Sequence, residues 1–434
     1  MSRQFHHSGE SGARIVRAPA IIAGAMPDSR IDAIRELCSF EGRLAGTDAE
    51  RRAANRLAGR LRDAGRKADV EPIYVHPQAP LVWAAHAALA FAGSLAAVAE
   101  PAVGFALVLL AATSLYLDLN ARAHLLRTLF FRRASQNVVS PGPSGDAPAR
   151  LILAAHYDAG RAGLLFRPQR ADQLNRLLPF PHTRLLFWSA ALLLPMLGAR
   201  MAGLDSDAVS ALQLPPTLLL LVAIFLLIDV QLSPVVPAAN DNASGVAVAL
   251  ALAERLRDEP PRNLDVWVVL TGAEECGMEG MRAFARSRRK AFDPATTFVL
   301  AIDSVGAGDV RWVASEGLTV SLEMDGRLQE LCDAVALADR EGGDRYRAAP
   351  LRHGYAGDAL AARGRRWRAT AITCREPGAS RPANHHSAAD VPEAIDPEAL
   401  DRAQDFALDL IRALDRDLAR TAVPGRAELA PAGA

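Results

Sequence analysis

Two stretches of this 434-residue chain are apolar for long enough to cross a bilayer and return. The first, "LVWAAHAALAFAGSLAAVAEPAVGFALVLLAATSLYLDL" (81–119), is broken before its last residues only by His86 and a central Glu100-Pro101. A hydrocarbon core of about 30 Å needs roughly 20 apolar helical residues, so this run predicts two spans with a tight turn at Glu100-Pro101. The second, 185–230, holds "LLFWSAALLLPMLGA" and "ALQLPPTLLLLVAIFLLI" around the polar loop "RMAGLDSDAVS". It predicts another transmembrane hairpin. The competing reading is two pairs of buried core helices, because the first three spans are Ala-rich and close to the lower limit of length. Arg122, Arg127, Arg132, Arg133, Arg161, Arg167, Arg170, Arg176 and Arg184 flank the hairpins, whereas the outer loops offer Arg200 beside Glu100, Asp205 and Asp207. By the positive-inside rule the bulk of the chain faces the cytoplasm. Lysine occurs only at Lys67 and Lys290 in an Arg- and Ala-rich sequence, a composition that suggests a GC-rich bacterial genome, so the expected membrane is the bacterial cytoplasmic one.

Outside the hairpins, short β-branched runs alternate with amphipathic helices. "ERRAANRLAGRLRDAG" places Ala54, Leu57, Ala58 and Leu61 on one helical face. Strand runs follow in "ADVEPIYV", "SQNVVS", "ARLILAAHYD", "LDVWVVLTGAEE", "TFVLAIDSVG" and "RATAITC", with helices at about 243–257 and 397–419. "APLRHGYAGD" and "EPGASRPANHHSAAD" read as loops. The pattern predicts an α/β fold with a mixed, mostly parallel sheet sandwiched by helices. The domain is discontinuous, built from 28–80, 134–184 and 233–419. Residues 1–27 are expected to be a flexible tail, too weakly apolar for a signal peptide, and 420–434 a disordered one. A formal net charge of zero argues against a nucleic-acid partner. Cys38, Cys276, Cys332 and Cys374 form no Cys-x-x-Cys pair, which argues against a disulfide framework or a zinc knuckle.

The polar residues collect at predicted strand ends. His156 and Asp158 close one strand, Glu274 and Glu275 another, Asp303 a third, and Asp241 stands where "PAANDNASGV" enters a helix. In open α/β sheets the ligand crevice lies beyond the carboxyl ends of the strands, so these side chains are expected to converge. "NHHSAAD" supplies a late histidine, His385 or His386. One His with two Asp suits one metal, and one Asp, one Glu and one His a second, with one Asp shared. Mixed imidazole and carboxylate donors are what a catalytic zinc pair uses.

Five motifs then resemble the M28 family of zinc peptidases: "HYD" (156–158), "DNASG" (241–245), "EECGMEG" (274–280), "IDSVG" (302–306) and "HHSAADVPEAID" (385–396). "GRLAGTDAERRAANRLAGRL" (42–61) is similar to the family's leading helix. The resemblance implies an aminopeptidase-type enzyme with two zinc ions. His156 and Asp303 complete one site, Glu275 and His386 the other, and Asp241 bridges them. It also implies that Glu274 is the general base for the attacking water and that Asp158 fixes the imidazole of His156. His386 is preferred because "HSAAD" aligns with the family's His-Thr-Pro-x-Asp, with His385 the alternative. The sequence departs from the family where each hairpin is inserted, and where "GDA" (357–359) keeps Asp358 but has Ala359 in place of a histidine, which leaves substrate preference open. The expected protein is a multi-pass, membrane-bound zinc aminopeptidase, in contact with the lipid bilayer, that acts on peptide substrates. The alternative is a non-peptidase on the same scaffold, either a glutaminyl-cyclase-like acyltransferase or a non-catalytic binding protein.

Overall fold

The computed structural model describes residues 28–143, 147–167 and 182–421. The expected tail 1–27, nearly all of the tail 420–434, and Arg170 and Arg176 of the charge argument lie outside the described residues. Asp28 caps α1 (Ser29–Cys38) by accepting from Arg30 N, and Thr47 caps α2 (Asp48–Asp63) by accepting from Glu50 N. The α2 face of Ala54, Leu57, Ala58 and Leu61 is buried, as its spacing predicts. Next come β1 (Asp69–Val75), the first hairpin α3 (Ala79–Ala96) and α4 (Pro101–Leu119), β2 (Arg133–Ser140) and β3 (Ala149–His156). The second hairpin is α5 (His182–Met201) and α6 (Asp207–Leu232). The chain continues with α7 (Gly245–Asp258), β4 (Leu264–Thr271), α8 (Glu279–Arg288), β5 (Thr297–Ile302), β6 (Asp309–Val313), β7 (Ser315–Glu316) and β8 (Leu322–Glu323). It closes with α9 (Gly326–Glu341), β9 (Ala349–Leu351), α10 (Asp358–Arg363), β10 (Arg368–Arg375) and α11 (Pro397–Thr421).

Eight strands form one sheet in the order β1-β2-β4-β3-β5-β10-β6-β9. The central neighbours β4, β3, β5 and β10 run parallel, while β1–β2, β2–β4 and β10–β6 are antiparallel. The mixed, mostly parallel sheet expected from the alternation is therefore present. One face buries Leu57, Val248, Leu252, Cys332 and Phe406 under α2, α7, α9 and α11. The other buries Met281, Phe284 and Ala361 under α8 and α10, and this core continues into the hairpins through Ala87, Val108 and Leu193. The loop reading of "APLRHGYAGD" needs correction: Ala349–Leu351 adds the edge strand β9 beside β6, and Asp358 opens α10. Three residues are too few to show an alternation in sequence.

All four hairpin helices are long and apolar enough to cross a membrane, with mean hydropathy from 1.2 to 2.4. They form a ring in which α3 touches α4 and α6, and α5 touches the same two. The α3–α4 contact depends on small residues: a Cβ at Gly104 would lie 2.4 Å from Ala97 Cβ. Polar groups inside the ring are paired, His86 with Ser114 at 2.8 Å and Ser94 with Thr217 at 2.6 Å. Exposed large side chains such as Leu109, Leu110, Leu192, Leu218 and Phe225 give the hairpins an apolar outer surface.

A buried ion pair joins the first hairpin to the sheet domain. Asp118, near the end of α4, accepts from Arg127 Nε at 2.6 Å and Nη2 at 2.8 Å, and from Trp83 Nε1 at 3.0 Å. Arg127 Nη1 donates to Glu279 Oε1 and Cys276 O, within the segment that carries Glu274 and Glu275. Arg161 and Arg184 likewise donate to backbone carbonyls, of Ser233 and Gly317. Three of the flanking arginines thus tie the hairpins down, whereas Arg122, Arg132, Arg133 and Arg167 stay exposed.

Candidate metal centre

Parallel pairing brings three strand ends to one rim. His156, the last residue of β3, pairs with Thr271, the last of β4, and β5 ends alongside at Ile302. Asp158, Glu274, Glu275 and Asp303 all follow within a few residues of these ends. Ala273, Ser304 and His386 adopt left-handed backbone conformations (φ 54°, 56° and 53°), strain of the kind that collects at functional sites.

Asp241 sits in the turn Ala239–Ser244 ahead of α7. Asp390 holds this turn by accepting from Asn240 N at 2.7 Å and Asp241 N at 3.1 Å. Asn242 Oδ1 accepts from Gly245 N and Ser304 N, and its Nδ2 donates to Ile302 O, which locks the turn to the end of β5. A Cβ at Gly245 would stand 2.3 Å from Ile302 O, so only glycine lets α7 start so close to the sheet. The small polar residues of "DNASG" therefore aim Asp241 and do more than cap a helix.

The two oxygens of Asp241 face different partners. Oδ1 lies 3.4 Å from His156 Nε2, which is itself 3.8 Å from Asp303 Oδ1. Oδ2 lies 2.8 Å from His385 Nδ1 and 3.9 Å from His386 Nε2, and His386 Nε2 is 3.2 Å from Glu275 Oε2. In the sets His156–Asp241–Asp303 and Asp241–His385–His386 the donor atoms lie within 4.8 Å of one another. The two histidines differ in their second nitrogen. His386 Nδ1 donates to Arg161 O at 2.8 Å and turns Nε2 toward Glu275, the arrangement of a metal-ligating imidazole. His385 uses its Nδ1 on Asp241 itself. Asp158 accepts from Glu274 N at 3.0 Å and Glu275 N at 3.1 Å, and faces His156 Nδ1 at 3.5 Å.

The charge balance favours cations. Burial raises Glu274 well above the ordinary carboxyl range, and Glu275, Asp358 and Asp303 add repulsion. Burial lowers His156, but Asp158, Asp241 and Asp303 outweigh it and hold the imidazole well above its ordinary value. Against the same pull of burial, Glu275 and Asp241 raise His386 to about 9. Acids crowd together here, and the cationic side chains among the described residues that line the same cavity are Arg161, Arg375 and Arg381. The His156–Asp241–Asp303 and Asp241–His385–His386 sets, which share the Asp241 carboxylate, offer imidazole and carboxylate donors close enough together to hold a metal ion.

The sequence model of peptidase family M28 matches residues 227–411. Over that stretch, less than half of its length, the chain is similar to peptidase family M28. The M28 match takes in Asp241, Glu274, Glu275, Asp303 and His386, while His156 and Asp158 lie upstream of it and join the site through the fold. Among solved structures, the chain resembles a leucine aminopeptidase precursor from Bacteroides thetaiotaomicron, at 16% identity over 88% of this chain and 96% of that one, with a TM-score of 0.50. A Zn-dependent exopeptidase from Parabacteroides distasonis is 15% identical over 89% and 99%, with a TM-score of 0.50. A glutaminyl cyclase from Porphyromonas gingivalis is 14% identical over 90% and 98%, with a TM-score of 0.52. At such identities the likeness is one of fold. Comparison with curated proteins returns no match.

Several residues that shape the site were not assigned roles from sequence. Asp390 belongs to "HHSAAD", but its grip on the Asp241 turn needed coordinates. Glu316 and Asp358 line a cavity of about 540 Å³ over the metal centre. Burial raises Glu316 well above the ordinary range, and Asp303 adds to it. Burial also pushes Asp358 up to about 7, and its Oδ2 accepts from Thr271 Oγ1 at 2.5 Å. The available signal for Glu316 was a lone acid in the apolar run "VRWVASEGL".

Proposed function

We propose that this chain is a membrane-anchored zinc peptidase of the aminopeptidase type, hydrolysing the amide bond after the N-terminal residue of a peptide. The observation that carries this reading is Asp241, with Oδ1 toward His156 and Oδ2 toward His385 and His386. His156, Asp241 and Asp303 would hold one zinc ion, and Asp241, Glu275 and His386 a second. Such a pair supplies Lewis-acid polarisation of a carbonyl and a lowered pKa for water.

The side chains of the chain do the rest. Glu274 faces the cavity with a carboxyl that burial keeps ready to hold a proton, so it takes the proton of the attacking water and delivers it to the leaving amine. Asp158 grips the backbone N–H of both Glu274 and Glu275, which fixes the base relative to the ligand beside it. The carbonyl of Arg161 sets the ring of His386. The four apolar helices support anchoring in a bilayer, and the exposed arginines at their feet favour a cytoplasmic catalytic domain.

Glutaminyl cyclases share the fold, so a cyclase-like acyl transfer is the second reading. Two complete ligand sets favour the peptidase. The test is metal analysis of detergent-purified protein together with a peptide panel. Release of N-terminal residues supports the peptidase; loss of ammonia from N-terminal glutamine without hydrolysis would replace it with the cyclase. Bound metal with neither reaction would leave a binding protein.

A further inference from the structure

The cavity over the metal centre does not end in the sheet domain. Its wall continues onto the hairpins, through Trp83 of α3, Leu186 and Ser189 of α5, and Leu219, Val222 and Val230 of α6. Leu219 stands halfway along α6. At 1.5 Å per residue it is about 17 Å along the helix from Val230. Leu219 and Val222 line the cavity and are nonetheless 40% and 52% exposed. These partly exposed side chains place the far end of the cavity at the outer surface of the hairpins, away from the metal ligands.

A volume of about 540 Å³ is within the range of roughly 300 to 1,000 Å³ that holds drug-sized ligands, and roomier than one amino-acid side chain requires. A peptide strand running along α6 would need partners for its N–H and C=O groups, which hydrocarbon walls do not supply. Ser189 Oγ already donates to Leu185 O and Trp83 Nε1 to Asp118, so along α6 the occupant meets the apolar side chains Leu219, Val222, Leu226 and Val230, while the polar His182 and Thr183 stand at the start of α5. A hydrocarbon chain has no such requirement.

We infer that the substrate is an amphiphile, an amide joining an amino-acid headgroup to a long hydrocarbon chain, with the amide at the metal ligands and the chain lying along α6 between α3 and α5. The inference rests on the hydrolytic reading above. Water adds across the C–N bond to give a carboxylic acid and an amine, and no further reactant is needed. Entry at the far end of the cavity brings the chain in from the bilayer without crossing water.

Two substrate series test it with the purified full-length protein: N-acyl-leucines from acetyl to palmitoyl, and leucyl alkylamides from ethyl to hexadecyl. In one series kcat/KM should rise about 2- to 4-fold per added methylene, as burial of CH₂ groups requires. A rise in the first places the chain on the acyl side, and in the second on the amine side. Val222→Trp, which narrows the cavity beside α6, should flatten that rise; Leu219→Phe is the milder second variant. Metal-stripped protein should bind a dansyl-labelled long-chain fatty acid saturably, and Val222→Trp should abolish this. Flat series beside normal cleavage of short peptides would overturn the inference and leave the peptidase standing. Saturable probe binding without hydrolysis of any amide would retain the chain site and remove the peptidase.

Discussion

His156 Nε2 lies 3.4 Å from Asp241 Oδ1, although α5 and α6 separate the two residues in the chain. The other oxygen of Asp241 faces His385 and His386. Removing that side chain should cost both sites at once. Asp241→Ala is expected to lose metal from both, His386→Ala mainly from one, and Asp158→Ala to weaken affinity about 10- to 100-fold, as loss of an orienting carboxylate does. Metal content per chain is the measurement, and two ions retained in Asp241→Ala would rule out the shared ligand.

Glu274 and Glu275 are adjacent but differ in partners, since only Glu275 approaches His386. Glu274→Gln should keep near-normal metal content and lower turnover by about 10² to 10⁴-fold, the usual effect of losing a positioned base. Glu275→Gln should lower metal affinity, with partial recovery in added zinc. Reversed outcomes would exchange the two roles.

If the hairpins cross a bilayer, reporters placed after Ala434 and near Asp205 should register opposite sides, the first cytoplasmic. Both on one side, with protein soluble in the absence of detergent, would make the hairpins core helices.

Arg127 is almost completely buried between Asp118 and Glu279. Arg127→Ala removes the guanidinium from two buried carboxylates, leaving Asp118 with Trp83 Nε1 and Glu279 with His76, and should destabilise the protein by about 3 to 5 kcal/mol. Arg127→Lys should recover only part, because an ammonium cannot make the bidentate contact with Asp118. Thermal unfolding in detergent reads both, and an unchanged Tm in Arg127→Ala would contradict the anchoring role.

Glu50 accepts from Gly46 N and Ser135 Oγ in the interior. Burial, with the Asp158 charge nearby, raises its carboxyl from 4.5 to about 8. Between those values the folded chain holds a proton that the unfolded chain has released. The stability this proton contributes is present at lower pH and is lost as pH rises through the window, by at most about 1.4 kcal/mol per pH unit. Glu50→Gln, whose amide can donate to Ser135 Oγ, should therefore gain stability relative to the parent as pH rises from about 4.5 to 8. Parallel stability curves for the two proteins would contradict it.

Local signals carried much of the fold. The spacing of Leu57 and Leu61 marked the buried face of α2, β-branched runs marked the central strands, and length with apolarity marked α3 to α6. These depend on interactions within one element, so they can be read along the chain. The short edge strand β9 could not, since its pairing with β6 comes from a partner distant in sequence. The candidate ligands were legible as residue types at strand ends, because parallel strands deliver their carboxyl ends to a common rim. Residue order could not show which oxygen of Asp241 faces which histidine, or that Asp390 holds the Asp241 turn. Nor could it reveal that the cavity above Glu274 runs on between α3, α5 and α6. Those relations are distances between segments that touch only after the sheet has formed and the hairpins have docked against it. Hydropathy and spacing along the chain do not record them.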